Sequence, residues 1–106
     1  MRKVKESDWK VLRRLHPIVR DRFCSHILAE IEQVSSALSE TPHQRYLKVF
    51  DLIQSRNDEI AQIFDDLSRS RAFQYVAGLK SRGLITAEEY SEFSDDMRDV
   101  VDLFVG

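Results

Sequence analysis

Two short polar stretches hold the side chains best suited to binding or chemistry. Residues 24–26 read Cys-Ser-His, and residues 55–57 read Ser-Arg-Asn. A thiol, an imidazole, a guanidinium and an amide, brought together, are able to hold a small polar ligand or an anion. The candidate ligand-binding residues are Cys24, His26, Arg56 and Asn57.

Metal binding and covalent catalysis have less support. His26 and Glu30 are four residues apart, a spacing at which two helical side chains can share a metal ion, but a metal site needs further ligands. Cys24 follows Phe23 at the edge of an apolar stripe, which favours a buried thiol over an exposed nucleophile. No glycine-rich phosphate loop, Ser-His-Asp grouping or zinc-binding spacing is present. We therefore predict no metal, no cofactor and no catalytic residue, and a protein that is not an enzyme.

The second polar stretch interrupts the clearest helical pattern in the chain. Between positions 46 and 67, apolar residues recur at alternating steps of four and three, and Asn57 occupies one position of that line. The apolar members are Tyr46, Phe50, Ile53, Ile60, Phe64 and Leu67. This period predicts an amphipathic helix from about residue 42 to 67 whose apolar line packs against a neighbouring helix.

The preceding helix is predicted from residue 17 to about 38. Its inner stripe comprises Val19, Phe23, Ile27, Ile31, Val34 and Leu38. Because proline disfavours helical geometry in the residue before it, we expect a break or kink at residues 16–17, after a short first helix that starts near Ser7. Thr41 followed by Pro42 has the pattern of an N-cap and first helical residue.

The short connection at residues 39–41 requires that the two long helices run antiparallel. A turn centred there places Asn57 level with Cys24. Three interpretations of Asn57 follow: it fixes the register of the hairpin by a hydrogen bond, the helix breaks there because Ser55 and Asp58 resemble a capping box, or it belongs to a polar pocket.

The C-terminal third predicts a shorter hairpin. Gly83, followed by Leu84, is a typical helix stop, and Thr86 with Glu89 predicts a capping box that opens the last helix. That helix is expected to present Phe93, Met97, Val100, Val101 and Phe104 on one side.

The stretch LKSRGLITAEEYSEF at residues 79–93 resembles the hairpin of the bacterial short C-terminal domains, in which a leucine-bearing helix ends in glycine and an acidic pair opens the next helix. The matching residues are Gly83, Leu84, Ile85, Thr86, Glu88 and Glu89. The resemblance implies a role in oligomerisation. It covers a short part of the chain, and helix termination and initiation explain each matching residue, so we assign no family from it.

These elements together predict an all-α fold. We expect a single helical domain over residues 1–106, an antiparallel bundle of four or five helices built on the long hairpin and a short C-terminal hairpin. A chain of 106 residues is long enough for one modest core.

Charge and composition bear on location and partners. Residues 1–24 carry eight basic and three acidic side chains, a net +5, whereas residues 84–106 carry seven acidic side chains and one arginine, a net −6. We expect these ends to attract each other within one chain or across a dimer, and the acidic tail disfavours nucleic acid as a partner. A single cysteine and the lack of a signal-like or membrane-spanning apolar run predict a cytoplasmic protein with no membrane association.

The sequence favours a small protein–protein interaction module that self-associates as a homo-oligomer. The chain has more large apolar residues than so few helices readily bury, and long hairpins often cover such a surplus in a symmetric dimer. The expected contact residues are Trp9, Leu12, Tyr46, Phe50, Phe93, Met97 and Phe104. The alternative is a bundle that binds a small ligand or a metal at the level of Cys24, His26 and Asn57.

Overall fold

The computed structural model describes residues 3–105, and within that range the fold is all-α, as predicted. Five α-helices follow one another: α1 (Glu6–Ser35), α2 (Pro42–Phe64), α3 (Ala72–Ser81), α4 (Ala87–Ser91) and α5 (Asp95–Val105). A single 3₁₀ turn, Arg69–Arg71, leads into α3. The molecule is elongated, measuring 53 × 25 × 23 Å, because α1 and α2 form one long hairpin.

Helix α1 continues through Pro17, so, of the break or kink expected at residues 16–17, the break is wrong. A proline inside a helix removes one hydrogen bond and crowds the preceding turn, which costs about 3 kcal/mol in isolation. Leu15 and Val19, on either side of the proline, are both buried in the core. Their burial stabilises the helix on both sides of Pro17 and outweighs this local cost.

The hairpin turn lies where the sequence placed it. Thr41 accepts a hydrogen bond from the backbone N–H of Gln44, whose side chain in turn accepts one from the N–H of Thr41, and Pro42 is the first residue of α2. Helix α1 ends at Ser35, earlier than the predicted residue 38, so that Leu38 falls in the turn and is exposed.

The face of α2 that packs on α1 is not the predicted apolar line. Arg45 donates to the backbone carbonyl of Ser35, and Arg56 bonds the carboxylate of Glu30, so the column of residues that includes these two arginines faces α1. We call this column the seam; its members are Arg45, Val49, Leu52, Arg56 and Ile63. Because helical residues turn by about 100° each, the predicted line lies roughly a quarter of a turn away from the seam.

The stop and start signals in the C-terminal third are confirmed. Gly83 has a φ of 69°, a left-handed conformation that glycine adopts without a steric penalty. The N–H of Leu84 bonds the carbonyl of Leu79, which closes α3, and the side chain of Leu84 is buried. Thr86 and Glu89 form the expected capping box at the start of α4.

The expected single last helix is two helices, α4 and α5, because Ser94 starts a new one. The side chain of Ser94 accepts a hydrogen bond from the N–H of Met97 in the first turn of α5. The carboxylate of Asp8, in α1, accepts from both the N–H and the hydroxyl of Ser94, at 2.8 and 2.6 Å. Asp8 is buried, so this junction ties α5 to the beginning of α1.

The core lies at one end of the hairpin, which we call the proximal end. Here α3, α4 and α5 pack against the first half of α1 and the last turns of α2. The buried residues of the cluster are Leu12, Leu15, Val19, Phe64, Ala72, Tyr75, Val76, Ala77, Leu79, Leu84, Phe93, Met97 and Val101. The other end, from Cys24 of α1 through the turn to Ile60 of α2, is a two-helix projection that we call the distal hairpin.

Hydrogen bonds of Arg22 with Leu84 and Glu89 also close the proximal end, and we call them the clasp. Arg22 of α1 donates to the carbonyl of Leu84 at 2.6 Å and to both carboxylate oxygens of Glu89 at 2.8 and 3.0 Å. The hydrogen bond from Arg22 lowers the pKa of Glu89 to about 2. The two parallel hydrogen bonds between Arg22 and Glu89 are mostly shielded from water, so they stabilise the fold more than a surface ion pair does. They hold the loop before α4 on α1.

We expect Asp8→Ala to lower the free energy of unfolding by about 1–3 kcal/mol, because it leaves the N–H and hydroxyl of Ser94 without their buried acceptor. Urea unfolding followed by circular dichroism measures the change. Asp21→Ala, at an exposed position of the same helix, is the matched control and should unfold like the wild type. Equal stability of the two variants would contradict the assigned role of Asp8.

We also expect the clasp to shape stability in acid. A carboxylate whose pKa is lower in the folded chain stabilises it above the ordinary value of 4.5, and that contribution is lost as the pH falls towards about 2. Between pH 4.5 and about pH 2, the unfolding free energy of Glu89→Gln should therefore fall by about 1–2 kcal/mol less than that of the wild type. Glu88→Gln, its exposed neighbour, should keep the decline of the wild type; an unchanged slope in Glu89→Gln would refute the assignment.

Candidate functional site

The distal hairpin contains an apolar groove between α1 and α2. The groove has a volume of about 230 Å³. Its lining residues are Cys24, Ile27, Leu28, Ile31, Ile53, Arg56, Asn57 and Ile60. Cys24 and Asn57 thus lie at one level of the hairpin, as the position of the turn predicted. The groove is open to solvent, and most of its surface is carbon.

Arg56, the one charged residue that lines the groove, is engaged within the hairpin. Its guanidinium bonds both carboxylate oxygens of Glu30, at 3.1 and 2.9 Å, and one oxygen of Glu59 at 3.1 Å. These hydrogen bonds raise the pKa of Arg56, and the bond to Arg56 lowers the pKa of Glu30. Two carboxylates on one guanidinium leave no net positive charge to attract an anion.

His26 lies apart from the other candidate ligand-binding residues. It is exposed and does not line the groove. Its expected metal-sharing neighbour, Glu30, is occupied by Arg56. Cys24 is a free, half-buried thiol on the groove wall. Three of the four candidate residues therefore meet at one place, where the surroundings are apolar.

Large apolar side chains continue the groove into an exposed surface. Leu28 is 66% exposed, Tyr46 64%, Phe50 48% and Ile53 42%, and Leu47 beside them is 44% exposed. We call these five residues and the groove they border the docking face. Further along the same side of α2, Phe64 is buried by the rings of His16, Phe23 and Tyr75. The predicted apolar line is thus covered at its proximal end and bare at its distal end.

The outer border of the docking face on α2 carries no charge. Leu47, Gln54 and Ala61 recur at intervals of seven on that border. Acidic residues come one column further out, at Asp51 and Asp58, where the side chains are exposed. Within residues 3–105, neither of these two carboxylates has a basic partner at ion-pair distance. The face is therefore an apolar strip with a neutral border and an acidic outer margin.

Asn57 is exposed in the middle of this strip. Helix α2 runs through it without interruption, so the interpretation of Asn57 as a helix break is wrong. Across the part of the chain that the structure describes, its amide makes no side-chain hydrogen bond, which removes the support for a register role inside the hairpin. Of the three interpretations, membership of an open groove is the one that matches its position.

The residues expected to contact a partner fall into three groups by burial. Leu12, Phe93 and Met97 are buried in the proximal core, where no surface remains for another molecule, so we withdraw them from the interface. Trp9 is half-buried against that core, with the guanidinium of Arg69 stacked 5.2 Å from its ring centre. The exposed members are Tyr46, Phe50 and Phe104, of which the first two belong to the docking face.

Two features of the site were missed in the sequence. Leu28 lies outside the inner stripe predicted for α1. A large apolar residue on the outer side of an amphipathic helix indicates a second apolar surface, and that was the signal in the sequence. The pairing of Arg56 with Glu30 joins different helices, and only the turn position could have indicated it.

Hollows also lie elsewhere in the described chain, and one of about 400 Å³ beside α4 is lined in part by Lys80, Tyr90 and Arg98. A hollow of about 160 Å³ between α2 and α3 is lined largely by polar side chains, and two of them, Asp66 and Arg71, form an ion pair. Among residues 3–105, no group of three or more His, Cys, Asp or Glu side chains is placed to hold a metal ion. None of the helices in that range is both long and apolar enough to cross a bilayer.

The position of Asn57 leads to a prediction about stability. Asn57→Leu should leave the unfolding free energy of the dilute chain unchanged or raise it by about 0.5 kcal/mol, because the site is exposed and leucine favours helix more than asparagine does. Leu52→Asn, one of the seam residues half-buried against α1, should lower it by about 1–2 kcal/mol. Urea unfolding at submicromolar concentration compares them, and a large loss in Asn57→Leu would restore the register role.

Comparison of the chain with models of protein families, with curated proteins and with solved structures gave no match.

Proposed function

We propose that the protein is a non-catalytic protein–protein interaction module that binds its partner through the docking face. The observation that carries this proposal is the exposure of Leu28, Tyr46, Leu47, Phe50 and Ile53 on one side of the distal hairpin. Together these side chains expose roughly 500 Å², which is comparable to the largest apolar patches found on monomeric proteins, and such patches commonly mark interaction sites.

The energy available from this face is sufficient for specific association. Removing roughly 500 Å² of apolar surface from water is worth on the order of 10 kcal/mol, and the matching surface of a partner adds to it. Association costs about 4–15 kcal/mol in lost translational and rotational freedom. The balance supports binding when most of the face is covered, and gives little when a small molecule covers only the groove.

A folded or helical protein segment fits the shape of the face better than a small ligand does. The groove, at about 230 Å³, lies below the usual range of ligand pockets, which begins at roughly 300 Å³. It is also open along its length, and the guanidinium of Arg56 is already neutralised by Glu30 and Glu59. A helix laid along the hairpin would instead cover the groove and the flanking rings of Tyr46 and Phe50 at once.

The proposal extends to the cellular location of the protein and to the kind of partner it binds. We propose a cytoplasmic site of action, which the free thiol of Cys24 suits. Self-association is the simplest form of partner binding for an exposed face on a hairpin, since symmetric dimers are the commonest oligomers. The net acidic charge of the chain, −2, gives no attraction to nucleic acid.

Site-specific photo-crosslinking in the native cells tests the proposal. Benzoylphenylalanine in place of Phe50 should give protein adducts upon irradiation, because that position would be covered by a partner. The same residue in place of Ser55, which is exposed on the opposite side of α2, is the matched control and should give few or none. Adducts of either self or another protein, enriched at Phe50, support the proposal; no adducts, or equal yields at both positions, would overturn it.

A further inference from the structure

We propose that the occupant of the docking face is the docking face of a second copy of this chain, with the two hairpins antiparallel. This inference rests on the proposed function and names its partner. Each chain would supply two helices, and the distal parts of the pair would form a four-helix bundle, an arrangement in which two amphipathic hairpins bury their spare apolar sides together.

The area of the face matches what a dimer requires. Each copy contributes roughly 500 Å² from its five exposed apolar residues, so a pair buries about 1,000 Å² before its groove and polar border are counted. Specific interfaces begin at about this size. The five exposed apolar residues of each copy, covered together in a dimer, therefore reach the area at which specific interfaces begin.

Residues near a twofold axis contact the same residues of the other copy, and the residues at this position of the docking face are apolar. Ile53 is the midpoint of the helical line from exposed Tyr46 to half-buried Ile60, and Leu28 lies across the groove from it. An axis through this midpoint brings Leu28 and Ile53 close to their own copies, which are apolar. A charged residue at this point would meet its own like charge and oppose pairing.

The border of the face also suits self-pairing. Leu47, Gln54 and Ala61 are uncharged, so a symmetric mate presents no like charge along the edge where two α2 helices meet. Asp51 and Asp58 lie further round the helix, where their carboxylates stay in water. A basic partner would have been favoured by acidic residues on this border of α2, and Leu47, Gln54 and Ala61 are not acidic.

The proximal core determines the orientation. Helices α3, α4 and α5 pack at one end of the long hairpin. An antiparallel pair keeps the two cores at opposite ends and overlaps only the distal hairpins. In this arrangement Asn57 of one copy lies within about one helical turn of Tyr46 of the other. The amide then has a phenol hydroxyl as a polar neighbour, a reason for a polar residue in the line.

Sedimentation equilibrium of the purified full chain between about 1 and 100 µM tests the partner. We expect a dimer, with a dissociation constant of about 10 µM or lower. Phe50→Asp should weaken it at least about 100-fold, because a carboxylate would be buried opposite apolar residues, whereas Ser55→Asp should dimerise like the wild type. A helical circular dichroism spectrum in both variants shows that the fold is kept. A monomeric wild type at 100 µM would overturn the inference.

Disulfide trapping tests the orientation in a Cys24→Ser background. Leu28→Cys should cross-link to its own copy under mild oxidation, since a disulfide needs Cα atoms within about 7 Å and this residue lies near the proposed axis. Tyr46→Cys should not, because antiparallel pairing places the two copies of residue 46 about 20 Å apart. Cross-linking of Tyr46→Cys without Leu28→Cys, or of neither, would overturn the antiparallel arrangement.

The two proposals fail in different ways. A monomeric chain whose Phe50 position still gives adducts with other proteins in cells would overturn self-pairing and leave the docking role intact. A monomeric chain that gives no enriched adducts would remove both.

Discussion

The surface chemistry of this molecule follows from a limit on what two helices can bury. A pair of helices shares one seam, and here α2 uses the column of Val49, Leu52 and Ile63 to pack on α1. Its second apolar column, a quarter of a turn away, needs another neighbour. The proximal core covers that column from Ile60 to Leu67, whereas the length from Tyr46 to Ile53 stays exposed. An exposed apolar face is therefore the direct consequence of a hairpin that is longer than the core beside it.

Sequence reasoning succeeded where the cause of a structure is local. Thr41 and Pro42, Gly83, and Thr86 with Glu89 each satisfy backbone groups within a few residues, so their types and spacing are sufficient to predict a start or a stop. It failed where the cause is distant in the chain. The start of α5 depends on the carboxylate of Asp8, 86 residues before Ser94, and the continuity of α1 through Pro17 depends on burial by elements that no local pattern identifies.

The candidate site shows the same division. Periodicity correctly marked Tyr46 and Phe50 as members of one helical face, but it gave no information about which neighbour covers that face. Leu12 and Met97 are apolar residues of the same kind, and the structure buries them in the core. Cores and interfaces contain the same residue types, so the type of a residue does not tell which of the two it belongs to. The positions of the other helices decide that. The polar stretches were likewise placed at one level correctly, yet their charge is neutralised by the pairing of Arg56 with Glu30 and Glu59.

The separation of core and docking face bears on how the molecule would respond to the proposed partner. The proximal end is held by a contiguous buried cluster, by Asp8 on Ser94 and by Arg22 on Glu89. The distal hairpin is held by its seam, the Arg56 ion pairs and a surface ion pair of Lys48 with Glu40, and Ile27 is its one buried residue among those described. Local opening free energies follow the number of buried contacts, so the distal hairpin is the less stable end of the fold. A partner that covered the docking face would add buried area there, and binding would thereby stabilise the distal hairpin. Because the buried cluster of the proximal core lies outside that area, we expect the chain to keep its fold whether or not the face is occupied.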